Sequence, residues 1–180
     1  MRTRRSNRHC DLCDHGGVHI RNAIPNDALA VATVHVRSWQ AAFRGLLPDP
    51  FLDGPRAEDR AVRYTFGDPA PGRPRTVVAV DGDAIVGFAT TGLDEGEAML
   101  HALYVDPDRW GTGAGKQLVV AARHELALTG HREAILWSLI GNTRADRFYA
   151  ADGWQLDGTV RHKEVWNAPT TQQRYRRALP

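Results

Sequence analysis

Cysteine is nearly absent from this 180-residue chain. Its two copies, Cys10 and Cys13, both fall within the first 17 residues, so the remaining body has no thiol to act as a covalent carrier. Long apolar runs are missing too. Nothing approaches the ~20 residues that a membrane helix needs. The arginine-rich start is not followed by the apolar segment of a secretory signal. Both absences point to a cytoplasmic protein with no membrane association. Excess charge is the third thing lacking. Arg2, Arg4, Arg5 and Arg8 against Asp11 and Asp14 account for the whole formal charge of +2, which leaves the rest neutral. A neutral body carries no basic footprint for nucleic acid and no strong field to gather a polycation.

What is present is an ordinary globular composition, 42% apolar and 24% charged, in a length that suits one domain with a sound core. Residues 1–17 stand apart from it. His9, Cys10, Cys13 and His15 are four soft ligands that could hold zinc. Residues this close together in a short polar tail organise little fold. The tail is therefore read as basic, solvated and disordered, and no metal is expected. Residues 18–178 form the domain.

Val18-His19-Ile20-Arg21 alternates as a strand does. Pro25-Asn26-Asp27 starts a helix whose apolar positions Leu29, Ala32, Val36, Trp39 and Phe43 recur every three or four residues. Gly45 and Pro48-Asp49-Pro50 break it, and a second helix is predicted from Glu58 to Phe66. Residues 67–74 hold three prolines and two glycines and read as a loop. Strands Thr76–Val80 and Ala84–Thr90 flank Asp81-Gly82-Asp83, a hairpin signal. Asp94-Glu95-Gly96 leads to a strand ending at Val105. A helix over Ala114–Thr129, a strand over Ala134–Leu139 and a helix from Asn142 to Gly153 follow. Trp154–Thr159 and Thr171–Arg177 read as closing strands, separated by a long polar loop around Trp166–Pro169. No internal repeat or heptad appears. The pattern is a single α/β (α+β) domain, with a mixed, largely antiparallel twisted sheet of six to seven strands and about four helices.

The chain is organised around residues 103–118. Asp106-Pro107 ends an apolar strand, Gly111, Gly113 and Gly115 follow at alternate positions, and a helix begins at Ala114. Glycines let the backbone approach a ligand. The first helical turn has unpaired N–H groups and partial positive charge. Together they make an anion cradle, most often for phosphate. A Walker A loop would need glycine at 110 and a hydroxyl residue at 117, where Trp110 and Gln117 stand. A Rossmann fingerprint from Gly111 would need glycine at 116, which is Lys116. A nucleotide-binding protein is thus the weaker alternative.

Trp110-Gly111-Thr112-Gly113-Ala114-Gly115 resembles the Gln/Arg-x-x-Gly-x-Gly/Ala loop of the GNAT superfamily of N-acetyltransferases, with tryptophan at the first position. The segment from Asn142 to Trp154 resembles that family's Asn-x-x-Ala-x-x-Phe-Tyr-x-x-x-Gly-Phe motif, one strand after the glycine loop and its helix. The run from Val34 to Pro48 is similar to one in many small bacterial members. The likeness spans about residues 18–178.

The resemblance implies a GNAT-type fold with central strands splayed at the donor site, and acetyl-CoA as donor. Backbone amides from Trp110 to Lys116 (Gly111, Thr112, Gly113, Ala114, Gly115) would hold the diphosphate. Leu103, Tyr104 and Val105 would pair with the pantetheine arm. Asn142, Phe148 and Tyr149 would lie beside it. The acceptor would be an amine, small molecule or peptide, walled by His35, Trp39, Phe43 and Trp166. A homodimer is a family-level expectation. An amine with a lysine-like pKa is only about one part in 10³ to 10⁴ neutral at pH 7, so a base is needed. Glu97 and His101, four apart on a strand, share one face if it is regular, and are the candidates. Glu97 reads equally as a solvated residue and His101 as a core imidazole. Tyr149 is the candidate acid for the departing thiolate, with a packed aromatic as its plainer role. With no body cysteine, transfer is expected to be direct, in a ternary complex. A non-catalytic coenzyme-A-binding module is the rival reading.

Overall fold

The computed structural model describes residues 17–67 and 73–180. The tail ligands His9, Cys10, Cys13 and His15 lie outside the described residues, as does most of the Gly67–Pro74 loop. Strands β1 (His19–Asn22), β2 (Arg75–Asp81), β3 (Ala84–Asp94), β4 (Glu97–Val105), β5 (Glu133–Leu139), β6 (Gln155–Val165) and β7 (Ala168–Ala178) form one sheet in the order β1-β2-β3-β4-β5-β7-β6. Every pairing is antiparallel except β4 with β5. Among the described residues there are five α-helices, α1 (Ala28–Phe43), α2 (Asp49–Asp53), α3 (Ala57–Ala61), α4 (Ala114–Ala127) and α5 (Thr143–Ala151). Among the described residues no helix is long and apolar enough to cross a membrane.

The alternating apolar residues of the strands cover both faces. Val77, Ala79, Ala98 and Leu100 pack with Leu118, Ala122 and Leu126 of α4. Val78, Val80 and Phe88 pack with Val31 and Val34 of α1 on the other face. Trp39, Phe43 and Leu52 extend that second layer toward the β6–β7 turn.

β4 and β5 pair only over Ala98–Leu100 and Ala134–Leu136, then part. This is the splay expected between the central strands. β4 is also irregular. Thr90 faces Ala102 while Thr91 faces Leu100, so His101 is an extra residue, a β-bulge. The bulge carries Leu103 and Val105 onto the α4 face that Ala98 and Leu100 already occupy.

Three local expectations are corrected. The second helix ends at Ala61 rather than Phe66, because Tyr64 and Phe66 pack against the α1-side core instead of continuing a helical stripe. Pro48-Asp49-Pro50 does not merely break structure. Proline is pre-set for a first helical turn, and α2 begins there. The long loop around Trp166–Pro169 is a two-residue turn. Trp166 and Asn167 have φ of 52° and 63°, the paired positive values of a tight hairpin, so β6 and β7 run almost to each other.

Candidate active site

The first turn of α4 is built by two left-handed glycines. Gly111 has φ 80° and Gly113, the residue that caps the helix, has φ 93°. A Cβ at either would meet nothing within 4 Å, so the space above the turn is open. The first intrahelical bond runs from Gln117 N–H to Gly113 O, and no side chain caps the turn. The amides before Gln117 are left for a ligand. Gly115 allows close packing instead: a Cβ there would sit 3.3 Å from the Phe148 ring.

This turn opens into a cavity of about 370 Å³. Of the residues expected at the donor, Leu103, Tyr104, Val105, Trp110, Gly111, Gly113, Gly115, Lys116, Asn142, Phe148 and Tyr149 line it. Thr112 does not; it is exposed, and its hydroxyl donates to Arg109 O at 2.8 Å. Nor does the side chain of Ala114, which is fully buried in the α4 core. Asp106 N–H donates to Val86 O, so by strand alternation the main-chain groups of Val105 and Leu103 face away from β3 into the cleft. Val105 O is already taken: Ser38 Oγ and Trp110 Nε1 each donate to it at 2.7 Å. The cleft-facing groups left over are the N–H of Val105 and both main-chain groups of Leu103.

Asn142 lines the cavity, but its Oδ1 accepts from Ala145 N–H at 3.2 Å and caps α5. Trp110 occupies the position where a glutamine or arginine was expected. Its ring carries the Arg144 guanidinium on its face, centre to centroid 3.1 Å. Ser38, Arg109 and Arg144 also line the cavity, and the sequence reading missed all three. Arg144 occupies a variable place in the Asn-x-x-Ala motif and gave no signal. Ser38 is a polar residue beside Trp39 on a helix, and its burial beneath Val105 needs the fold to be seen.

A second cavity, about 460 Å³, adjoins the first and shares Phe43, Leu103, Tyr104, Asn142, Ala145 and Tyr149 with it. Trp39, His101, Trp137 and Trp166 also line it. Tyr149 thus stands where the two meet. Burial pushes its phenol well above the usual tyrosine range, so it is protonated at neutral pH. His101 lines the second cavity and is itself exposed; partial desolvation by the wall lowers its imidazole, with Asp94 opposing the effect and Lys163 adding to it.

Two expected residues are not brought to either cavity. Glu97 makes ion pairs with Arg176 at 2.9 Å and Arg174 at 3.4 Å on β7. The bulge at 101 also removes the regular spacing that coupled it to His101. His35 packs among Phe88, Tyr104 and Trp166 and bonds to Tyr64 Oη through Nδ1. Burial lowers its pKa to about 3. It supports the wall rather than forming it, whereas Trp39 and Phe43 do form it. Among the described residues no group of three or more His, Cys, Asp or Glu side chains is placed to hold a metal ion.

The chain is similar to known proteins over this same region. It is 37% identical over 93 residues to a mycothiol acetyltransferase of Clavibacter sepedonicus, covering 51% of this chain and 29% of that one. The matched stretch therefore spans less than a third of that relative. It is 27% identical over 164 residues to an uncharacterized N-acetyltransferase of Bacillus subtilis (strain 168), YuaI, covering 82% and 90% of the two chains. In fold it matches the PaiA N-acetyltransferase of Thermoplasma acidophilum, solved in complex with coenzyme A, with a TM-score of 0.67 at 16% identity over 88% of this chain and 99% of that one. Residues 37–154 match the family described as Acetyltransferase (GNAT) family. That span holds the glycine turn of α4, the splay beside β4 and the Asn142–Trp154 segment, so sequence and geometry agree: the chain belongs to the GNAT acetyltransferase family.

Proposed function

We propose that this protein is an N-acetyltransferase that moves the acetyl group of acetyl-CoA onto a primary amine by direct attack in a ternary complex. The open first turn of α4 and the stretch of β4 beyond its pairing with β5 line one cavity, and that shared opening is what carries the reading. Bound acetyl-CoA supplies an acyl carbon activated by its thioester. The amides of Ala114, Gly115 and Lys116 hold its diphosphate, and Lys116 and Arg144 add positive charge. Leu103 and Val105 align the pantetheine arm through their cleft-facing main chain. Val105 N–H polarises the thioester carbonyl, a donor fixed before the reaction begins.

The second cavity takes the amine. His101, on the wall of that cavity, accepts its proton directly or through water. The Tyr149 hydroxyl gives a proton to the departing thiolate. The absence of cysteine from residues 18–180 supports direct transfer over a thiol-bound acetyl intermediate.

Calorimetric titration with acetyl-CoA and with ATP, followed by thiol release over a broad amine panel, tests this. Acetyl-CoA is expected to bind, ATP not to, and release to require an amine. Binding with no release over the whole panel would leave a non-catalytic coenzyme-binding module. An acetylated protein isolated without acceptor would overturn direct transfer.

A further inference from the structure

The walls of the second cavity hold positive charge that has no carboxylate partner among the described residues. Arg161 from β6, Arg60 from α3 and Lys163 from β6 all line it. None makes an ion pair among the described residues. Elsewhere, arginines of comparable burial are neutralised: Arg123 and Arg177 pair with Asp152, and Arg174 and Arg176 pair with Asp157. Among the described residues Glu164 is the one carboxylate on the cavity wall, and it is exposed, as is Lys163. Asp94 and Glu95 favour the charge on Arg161 from beyond ion-pair range.

The two guanidinium groups are also held in place. Arg161 Nε donates to Gln172 Oε1 at 2.9 Å, and its centre lies 4.0 Å from the Trp137 ring centroid. Arg60 lies 4.4 Å from the Trp166 centroid; its Nε is buried without a hydrogen-bond partner, as are those of Arg123 and Arg177, but unlike them it has no carboxylate beside it among the described residues. A half-buried cation with no counter-charge costs free energy. A guanidinium backed by a ring on its face offers its N–H edge to a flat anion, which it can grip with two parallel bonds. The cavity has the volume of a small-molecule site.

We infer that the acceptor is a small amine that also bears an oxyanion, a carboxylate or a phosphate, held by Arg161 and Arg60 while its amino group reaches toward Tyr149. This rests on the proposed acetyl transfer, because it assigns the second cavity to the acceptor.

The test uses N-acetylated products, whose binding needs no turnover. The full-length protein, with coenzyme A present, is titrated with N-acetyl derivatives of glycine, serine and phenylalanine, with their matched amides, and with N-acetyl-O-phosphoethanolamine. At least one oxyanion-bearing product is expected to bind about tenfold or more tightly than its neutral counterpart, N-acetylethanolamine serving for the phosphate. The ranking within the panel distinguishes carboxylate from phosphate. Arg161→Gln and Arg60→Gln should each erase the preference while coenzyme A affinity stays unchanged. Equal binding of charged and neutral members, no binding by any charged member, or a preference that survives both substitutions would overturn the inference. Loss of coenzyme A binding by the unaltered protein would instead strike the acetyl-transfer reading.

Discussion

Tyr149 reaches both cavities, and the phenol it offers is a poor acid in isolation. Burial raises its pKa, so the proton stays in place at neutral pH, as the proposed acid role requires. Tyr149→Phe is expected to lower kcat by about 10²-fold or more and to leave KM for acetyl-CoA nearly unchanged. The sign of the pH dependence follows from the same burial. A group that must be protonated, with its pKa raised, is lost to catalysis only above the ordinary tyrosine value of about 10. The alkaline limb of kcat due to Tyr149 should therefore lie above pH 10, as a pH–rate profile of wild type against Tyr149→Phe would record. Phe148 and Tyr149 were legible because the motif spells them in order with Asn142 and Ala145. His101 as a bulge was not, since an extra residue in β4 exists only relative to the register of β3. Arg60 and Arg161 were not either, because their neighbours, Trp166 and Trp137, come from other elements.

Elements were more readable than contacts. The β2–β3 hairpin, α4 and α5 each carry a local punctuation, Asp81-Gly82, Gly113 and Asn142, that decides their ends regardless of what packs on them. α3 and the β6–β7 turn lack it, and there tertiary packing decided. Trp166 holds a positive φ that bulky residues rarely adopt, and its ring packs against Trp39, His35 and Arg60. The entry to α1 offers a clean test of an element end. Asp27 accepts two bonds from Arg21, at 2.6 and 2.9 Å, and one from Ile24 N–H at 2.8 Å. Its side chain is 8% exposed while that of Arg21 is 37% exposed, so solvent screens part of the pair. Asp27→Asn is expected to cost about 1–2 kcal/mol at pH 7 in urea unfolding. The Arg21 hydrogen bond holds the Asp27 carboxyl below its usual range. Its stabilisation is thus whole above the unfolded value of about 3.9 and is lost as pH falls through the folded one. The gap between wild type and variant should close below about pH 4.

At the scale of the whole molecule, the sheet is two halves. β1 to β4 form one and β5, β7 and β6 the other, and only three residue pairs of ladder join them. A ligand lying in the splay would touch β4 from one half and α5, which follows β5, from the other. Binding to the folded state alone adds about 2.7 kcal/mol at a hundredfold excess over Kd. For a domain of this length that raises Tm by about 5–10 °C. Thermal unfolding with acetyl-CoA should show that shift, and ATP at the same concentration should not.

The short ladder between β4 and β5 has a mechanical side as well. The first strand of the chain lies in one half of the sheet and the last strand in the other. Tension applied between the ends of the folded region must therefore cross that join, where few rungs share the load and side-chain packing carries the remainder. The protein has its tear line in the middle of the sheet rather than at a margin, and the opening for its chemistry begins where the rungs stop.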